Sequence, residues 1–162
     1  MLSPAYQEIK SLRSSGRSAA AYSLLGSTPP SSDEDAFEAA VCLLICGDLA
    51  AMRHVCESRT WQESWAKSMA QALAVMVADD GPAQALAFGR PAAGDPRAGY
   101  DAAAVFLMLL QANGLFDEAD AYIQQRLPNP PANETFLLTV MAEIALAVED
   151  WRQAYKLASA VM

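Results

Sequence analysis

A turn residue followed by a small residue and an apolar stretch recurs five times along the chain. Five alanines align these segments: Ala20, Ala51, Ala85, Ala119 and Ala154. Successive alanines are 31, 34, 34 and 35 residues apart, and a period of about 34 is typical of helix-turn-helix arrays. A single hairpin leaves an apolar face uncovered, which the next hairpin buries. The spacing therefore predicts five hairpins that stack in chain order.

Apolar residues recur at helical spacing, as Phe37, Val41 and Leu44 do, whereas strict alternation of apolar and polar residues is rare. The first helix is predicted to begin at Pro4, with Ser3 as its N-cap. Breaks between helices are predicted at residues 16, 26–31, 47, 79–82, 89–99, 113–114, 127–133 and 149–150. The sequence therefore predicts an all-α protein of about ten helices.

The fourth hairpin contains the segment GLFDEADAYI and resembles a tetratricopeptide repeat. The family's glycine, aromatic, alanine, bulky apolar and closing proline positions are matched by Gly114, Phe116, Ala119, Ile123 and Pro131. In spacing the resemblance extends to all five hairpins and implies a right-handed α-solenoid forming one domain. The implied repeats are roughly 1–31, 32–62, 63–98, 99–131 and 132–162 of the 162 residues. A closed helical bundle of similar hairpins is the alternative fold.

The charge of the chain argues against two classes of partner. The formal net charge is -8 and no basic stripe is present, so the surface repels nucleic acid and anionic membranes. The longest apolar run, residues 102–110, is far shorter than the roughly 20 residues that cross a bilayer. The N-terminal residues resemble no export signal. We therefore expect a cytoplasmic protein that contacts neither nucleic acid nor membrane.

Few residues are candidates for catalysis or metal binding. His54 is the only histidine, and Cys56, two residues later on a helix, points away from it. Cys42, Cys46, His54 and Cys56 could be drawn as a zinc site, but their spacing is not a usual zinc pattern. Cys42 lies within the apolar run AAVCLLIC, where a thiol packs as a small hydrophobe. We therefore predict reduced thiols and no catalytic residue, metal or cofactor.

Acidic residues cluster at three places, residues 33–35, 79–80 and 117–120. None of these runs has the alternating carboxylates, central glycine and closing glutamate of a calcium loop. The first and third runs fall in predicted first turns of helices, where acidic side chains complement the helix dipole. We therefore predict a capping role for them.

The resemblance also implies a place for a partner, because tetratricopeptide arrays hold ligands on a concave face formed by the first helix of each hairpin. The implied contact residues are Phe37, Ala40, Leu43, Gln71, Ala74, Val105, Met108, Phe136, Val140 and Glu143. Their mostly apolar or small side chains suit an amphipathic helix or an apolar segment of another protein. A homodimer that buries this face, or simple internal packing, is the alternative for the same residues.

We therefore expect a non-catalytic module for protein-protein interaction. The last helix ends on Val161 and Met162 without a polar cap, so we expect the chain to be truncated at its C-terminus. The repeats would then recruit a protein substrate to a C-terminal enzyme domain, as in tetratricopeptide-bearing protein glycosyltransferases. The alternative is a free-standing chaperone of an export subunit, of the type III secretion or flagellar kind.

Overall fold

The computed structural model describes residues 1–77 and 81–162, and within these ranges the chain forms ten α-helices and no β-strand. The all-α prediction is confirmed, as is the start of the first helix at Pro4. The helices are α1 (Pro4–Ser14), α2 (Ser18–Leu25), α3 (Asp33–Ile45), α4 (Leu49–Ser58), α5 (Ser64–Met76), α6 (Gly81–Ala93), α7 (Gly99–Ala112), α8 (Phe116–Arg126), α9 (Thr135–Ala147) and α10 (Trp151–Val161).

The same turn joins the two helices in four of the hairpins. The turns are centred on residues with positive φ: Gly16 (77°), Gly47 (79°), Gly114 (70°) and Glu149 (62°). After Gly114, the N–H of Leu115 donates to the carbonyl of Leu110 at 2.9 Å, and the other three turns repeat this bond. A left-handed residue here lets the chain reverse while the last helical carbonyls keep their partners. In the third hairpin the equivalent position, like the predicted acidic pair at 79–80, lies outside the described residues.

Helices that are neighbours in the sequence pack against each other. We call the odd-numbered helices, which come first in each hairpin, the A helices, and the even-numbered ones the B helices. Helices α3, α5 and α7 each pack against their own B helix, the preceding B helix and the A helices on both sides. Helix α1 packs against α2 and α3, and α9 packs against α7, α8 and α10. The A helices therefore form a continuous row.

The repeat register differs from the sequence alignment in the first two hairpins. In the last three hairpins the aligned alanine is buried, as predicted. In the first two, the buried residues are Ala21 and Met52, one position after the aligned Ala20 and Ala51. In each of the four described turns, the first buried residue of the B helix lies five positions after the residue with positive φ. The turn therefore sets the register, and alignment on alanine alone misplaces two hairpins by one residue.

The predicted break at residues 89–99 is wrong in its first half. Helix α6 continues through Gly89 and Pro91 to Ala93. Pro91 cannot donate the helical hydrogen bond to the carbonyl of Ala87, and α6 ends two residues later. Gly89 is a packing residue: a Cβ there would come within 2.7 Å of Cδ1 of Leu109 on α7. This glycine marks the close approach of two helices rather than a loop.

Acidic residues lie in the first turns of α3 and α8, as predicted. The N-cap of α3 is Ser32, whose side chain accepts a bond from the N–H of Asp35 at 3.1 Å. Asp33 also has a tertiary role, because it accepts bonds from the N–H groups of Gln62 and Glu63 at 2.6 and 2.7 Å. These bonds fix the segment that precedes α5.

Two apolar clusters make up the core. The larger one runs from α3 to α10 through residues such as Leu73, Leu107 and Ile144. The smaller one joins α1 to α2 and α3 through Tyr6 and Ile9. Among the described residues, no helix combines the length and the apolar character that crossing a membrane requires.

Candidate partner-binding groove

Ion pairs connect the first hairpin to the last two A helices. Lys10 of α1 lies 3.1 Å from Glu134, the residue before α9, and 3.3 Å from Asp101 of α7. Arg13, on the next turn of α1, lies 2.8 Å from Asp101. Lys10 and Glu134 are 124 residues apart in the sequence, and Arg13 and Asp101 are 88 residues apart. Helix α1 therefore faces both α7 and the start of α9.

A groove of about 690 Å³, which we call the end groove, lies between the first and last hairpins. Its apolar part is formed by Ile45 at the end of α3, Phe136 on α9, and Val161 and Met162 at the end of α10. The remaining lining residues are mostly polar: Arg13, Ser14, Ser15, Gly16, Thr135 and Thr139. An apolar strip edged by hydroxyl groups is suited to a segment with one apolar side.

The predicted contact residues divide into buried and accessible groups. The buried ones are Phe37, Ala40, Leu43, Ala74, Val105 and Val140. The accessible ones are Gln71 and Glu143, which are exposed, and Met108 and Phe136, which are half-buried. Helices α3, α5 and α7 each pack against four neighbouring helices and α9 packs against three, which explains the burial. A partner reaches only the second group without separating helices, and of that group Phe136 lines the end groove.

A buried charge cluster lies beside the groove, between α1, α3 and α7. The guanidinium of Arg13 donates to Glu38 from Nε at 2.5 Å and from Nη2 at 2.8 Å. The same Nη2 donates to Oδ2 of Asp101 at 2.8 Å. The side chains of Arg13 and Glu38 are only 1% and 2% exposed. These charges are desolvated, so removing any one of them would leave its partners buried and unpaired. The bonds therefore hold α1 in place only when all three side chains are present.

The electrostatic environment shifts the pKa values of the two carboxyl groups of this cluster in opposite directions. Burial raises the pKa of Glu38 to about 7, and the nearby Asp101 carboxylate adds to that effect although Arg13 opposes it. Burial also acts to raise the pKa of Asp101, but Arg13 and Lys10 outweigh it and hold that pKa below its ordinary value. Asp101 is therefore the carboxylate of the pair, and Glu38 is the group that takes up a proton.

A smaller cleft of about 170 Å³ opens next to the cluster. Glu38 and Asp101 form part of its lining, together with Phe37 and Trp65. The two aromatic rings meet edge to face, with their centroids 5.4 Å apart. The cleft gives the buried charges a route to solvent.

The cysteines and the histidine do not form a reactive arrangement within the described residues. Burial raises the pKa of Cys42 and of Cys56 to about 12, which keeps both thiols protonated at neutral pH. His54 is exposed on α4. In residues 1–77 and 81–162 no three His, Cys, Asp or Glu side chains are grouped so that they could hold a metal ion.

The sequence pattern predicts neither the charge cluster nor most of the end groove. A signal for the cluster is present: Arg13 continues the buried stripe of Tyr6 and Ile9 on α1, Glu38 interrupts an apolar run, and Asp101 directly precedes one. A charge on an apolar stripe indicates a buried partner. Ile45 and Val161 carry no such signal, because they line a groove only where the ends of distant helices meet.

Comparison with known proteins finds no matching family model, no matching curated protein and no matching solved structure. The geometry of the chain itself is therefore the basis for a functional proposal.

Proposed function

We propose that this chain is a non-catalytic protein-interaction module that holds an apolar or amphipathic helical segment of a partner protein in the end groove. The observation that carries the proposal is the groove itself. It is open, about 690 Å³ in volume, and combines an apolar strip with hydroxyl groups at its edge. A helix laid along it would place its apolar side chains on Ile45, Phe136 and Val161 and keep its polar side in water.

A curved tetratricopeptide-like array is the arrangement of hairpins that we infer for this module. Three observations support it: the turn that recurs in four hairpins, the continuous row of A helices, and the ion pair between Lys10 and Glu134. The first two favour a solenoid of equivalent units. The third indicates strong curvature, which brings the ends of the array close enough to form a groove.

Binding is favoured over catalysis because the groove holds hydroxyl and apolar groups without an activating base. Among the described residues, the lining includes Ser14, Ser15, Thr135 and Thr139, but no histidine and no carboxylate side chain. A hydroxyl group is a weak nucleophile unless a neighbouring base takes its proton. The charge that approaches the groove is Arg13, whose guanidinium is engaged by Glu38 and Asp101.

Site-specific photo-crosslinking in the native host tests the proposal. A photo-reactive phenylalanine analogue replaces Thr139, an exposed residue of the groove, and in a matched protein it replaces Leu115, an exposed apolar residue outside it. We expect one defined protein adduct from position 139 and none from position 115. Adding Ile45→Glu should reduce the adduct at least tenfold, because a charge on the apolar strip opposes an apolar ligand.

Circular dichroism of each variant provides the control for folding, since Ile45 is exposed and its replacement should leave the helix content unchanged. The proposal fails if the adduct from position 139 survives Ile45→Glu, or if both positions yield the same set of adducts. Peptide mapping of the adduct then shows whether the captured segment has the expected apolar side.

A further inference from the structure

The buried charge cluster, taken together with Lys10 and Glu134 at its edge, holds more carboxylates than cations. Arg13 and Lys10 face three acidic side chains, those of Glu38, Asp101 and Glu134. If all five were ionised, the cluster would carry an excess negative charge in a largely buried environment. Burying an unbalanced charge is costly, and a protein group commonly avoids the cost by taking up a proton.

The geometry shows where such a proton fits. Nη2 of Arg13 donates to Oε2 of Glu38 and to Oδ2 of Asp101, both at 2.8 Å, so the two carboxyl groups are close neighbours. The other oxygen of Asp101, Oδ1, is buried and accepts no hydrogen bond. Two adjacent carboxyl groups, one of which has a buried oxygen without a donor, favour a single shared proton.

We propose that Glu38 and Asp101 share one proton, and that this proton latches α1 onto α3, α7 and the start of α9. With the proton present, two carboxylates balance the two cations and the Asp101 carboxylate gains a donor. When the proton is lost, Glu38 and Asp101 repel each other across the guanidinium of Arg13. The latch then weakens, and α1 separates more readily from the row of A helices.

Of Glu38 and its neighbours Tyr6 and Cys42, Glu38 is the group that titrates near neutral pH. Tyr6 of α1 and Cys42 of α3 also lie near Glu38, and each has its pKa raised to about 12, chiefly by burial, so both stay neutral. Other charged groups around the cluster and cleft are Lys10 and Arg13 of α1, Glu34 of α3, Arg97 before α7, and Glu134 before α9.

The direction of the pH effect follows from the raised pKa of Glu38. Its value in the folded chain, about 7, exceeds the ordinary value of 4.5. Between these two values the folded chain keeps a proton that the unfolded chain has released. The contribution of Glu38 to stability is therefore complete below 4.5 and is lost as the pH rises through 7.

Two measurements on the full chain test the latch. Carboxyl-selective NMR should give a titration midpoint near 7 for Glu38, and Glu8, an exposed acid on the same helix as Arg13, provides the control substitution. Amide hydrogen exchange in α1, corrected for the intrinsic rate, should quicken about tenfold between pH 6 and pH 8, as one released proton requires. Glu38→Gln should abolish this change, whereas Glu8→Gln should behave like the parent chain.

The proposal is overturned if the titration midpoint of Glu38 lies near its ordinary value. It is also overturned if amide hydrogen exchange of α1 in Glu38→Gln still quickens between pH 6 and pH 8. Equal protection of α1 at both pH values in the parent chain also overturns it. If Glu38→Gln does not fold, the two measurements on the parent chain decide. The latch is independent of the proposed binding activity, because neither measurement involves a partner.

Discussion

At the scale of single residues, four positions with positive φ determine where the hairpins turn. Three of them are glycines and the fourth is Glu149, with a φ of 62°. Residues with a Cβ rarely adopt this conformation, which costs roughly 1–2 kcal/mol. Nothing lies within 4 Å of a Cβ built on Gly16, Gly47 or Gly114. These glycines are therefore needed for their backbone conformation and not for space.

Exchanging glycine and larger residues at the turns should change stability in a predictable direction. Gly114→Ala should lower the free energy of unfolding by about 1 kcal/mol, because alanine is strained at positive φ. Glu149→Gly should raise it by up to about 1 kcal/mol, because the strain at that turn is relieved. Urea unfolding followed by circular dichroism measures both changes.

Gly94→Ala is the matched control, since Gly94 has open space around its Cβ position and no positive φ. Its effect should stay within about 0.5 kcal/mol. Equal losses for Gly114→Ala and Gly94→Ala would show that backbone conformation does not set the turn.

At the scale of helices and hairpins, the sequence predicts most of the fold from local signals. Glycines and caps mark the ends of most helices, and the period of about 34 residues gives the pairing of helices. The local signals fail at α6, where Gly89 and Pro91 suggest a loop. Gly89 instead lies inside α6, where a Cβ would come within 2.7 Å of Cδ1 of Leu109 on another helix. A glycine needed for a tertiary contact looks the same in sequence as a glycine needed for a turn.

The close contact within a hairpin gives a test at this scale. Ala119 is fully buried on α8, five residues after its turn. Ala119→Trp should lower the free energy of unfolding by roughly 1–3 kcal/mol or more, because the added ring forces the helices apart. Ala121→Trp, at an exposed position on the same helix, should have little effect. Thermal unfolding compares the two, and a neutral Ala119→Trp would contradict the repeat register.

At the scale of the whole molecule, the packing of helices around each A helix decides which of its residues are accessible. Sequence analysis assigned ten contact residues from repeat positions, and the structure buries six of them. Burial could not be predicted locally, because it depends on how the neighbouring helices cover each A helix. The end groove depends on contacts between residues more than 100 positions apart, such as Lys10 with Glu134. No local sequence pattern predicts the contact between these two residues.

The approach of α1 to the start of α9 is the central claim, and zero-length crosslinking tests it directly. The chain has lysines only at positions 10, 67 and 156, so a carbodiimide that joins amines to touching carboxylates gives few products. At low protein concentration, mass spectrometry should find Lys10 joined to Glu134 or Asp101, and Lys10→Arg should remove that product. If Lys10 is joined only to acids of the first two hairpins, α1 does not meet the last A helices and the end groove does not exist.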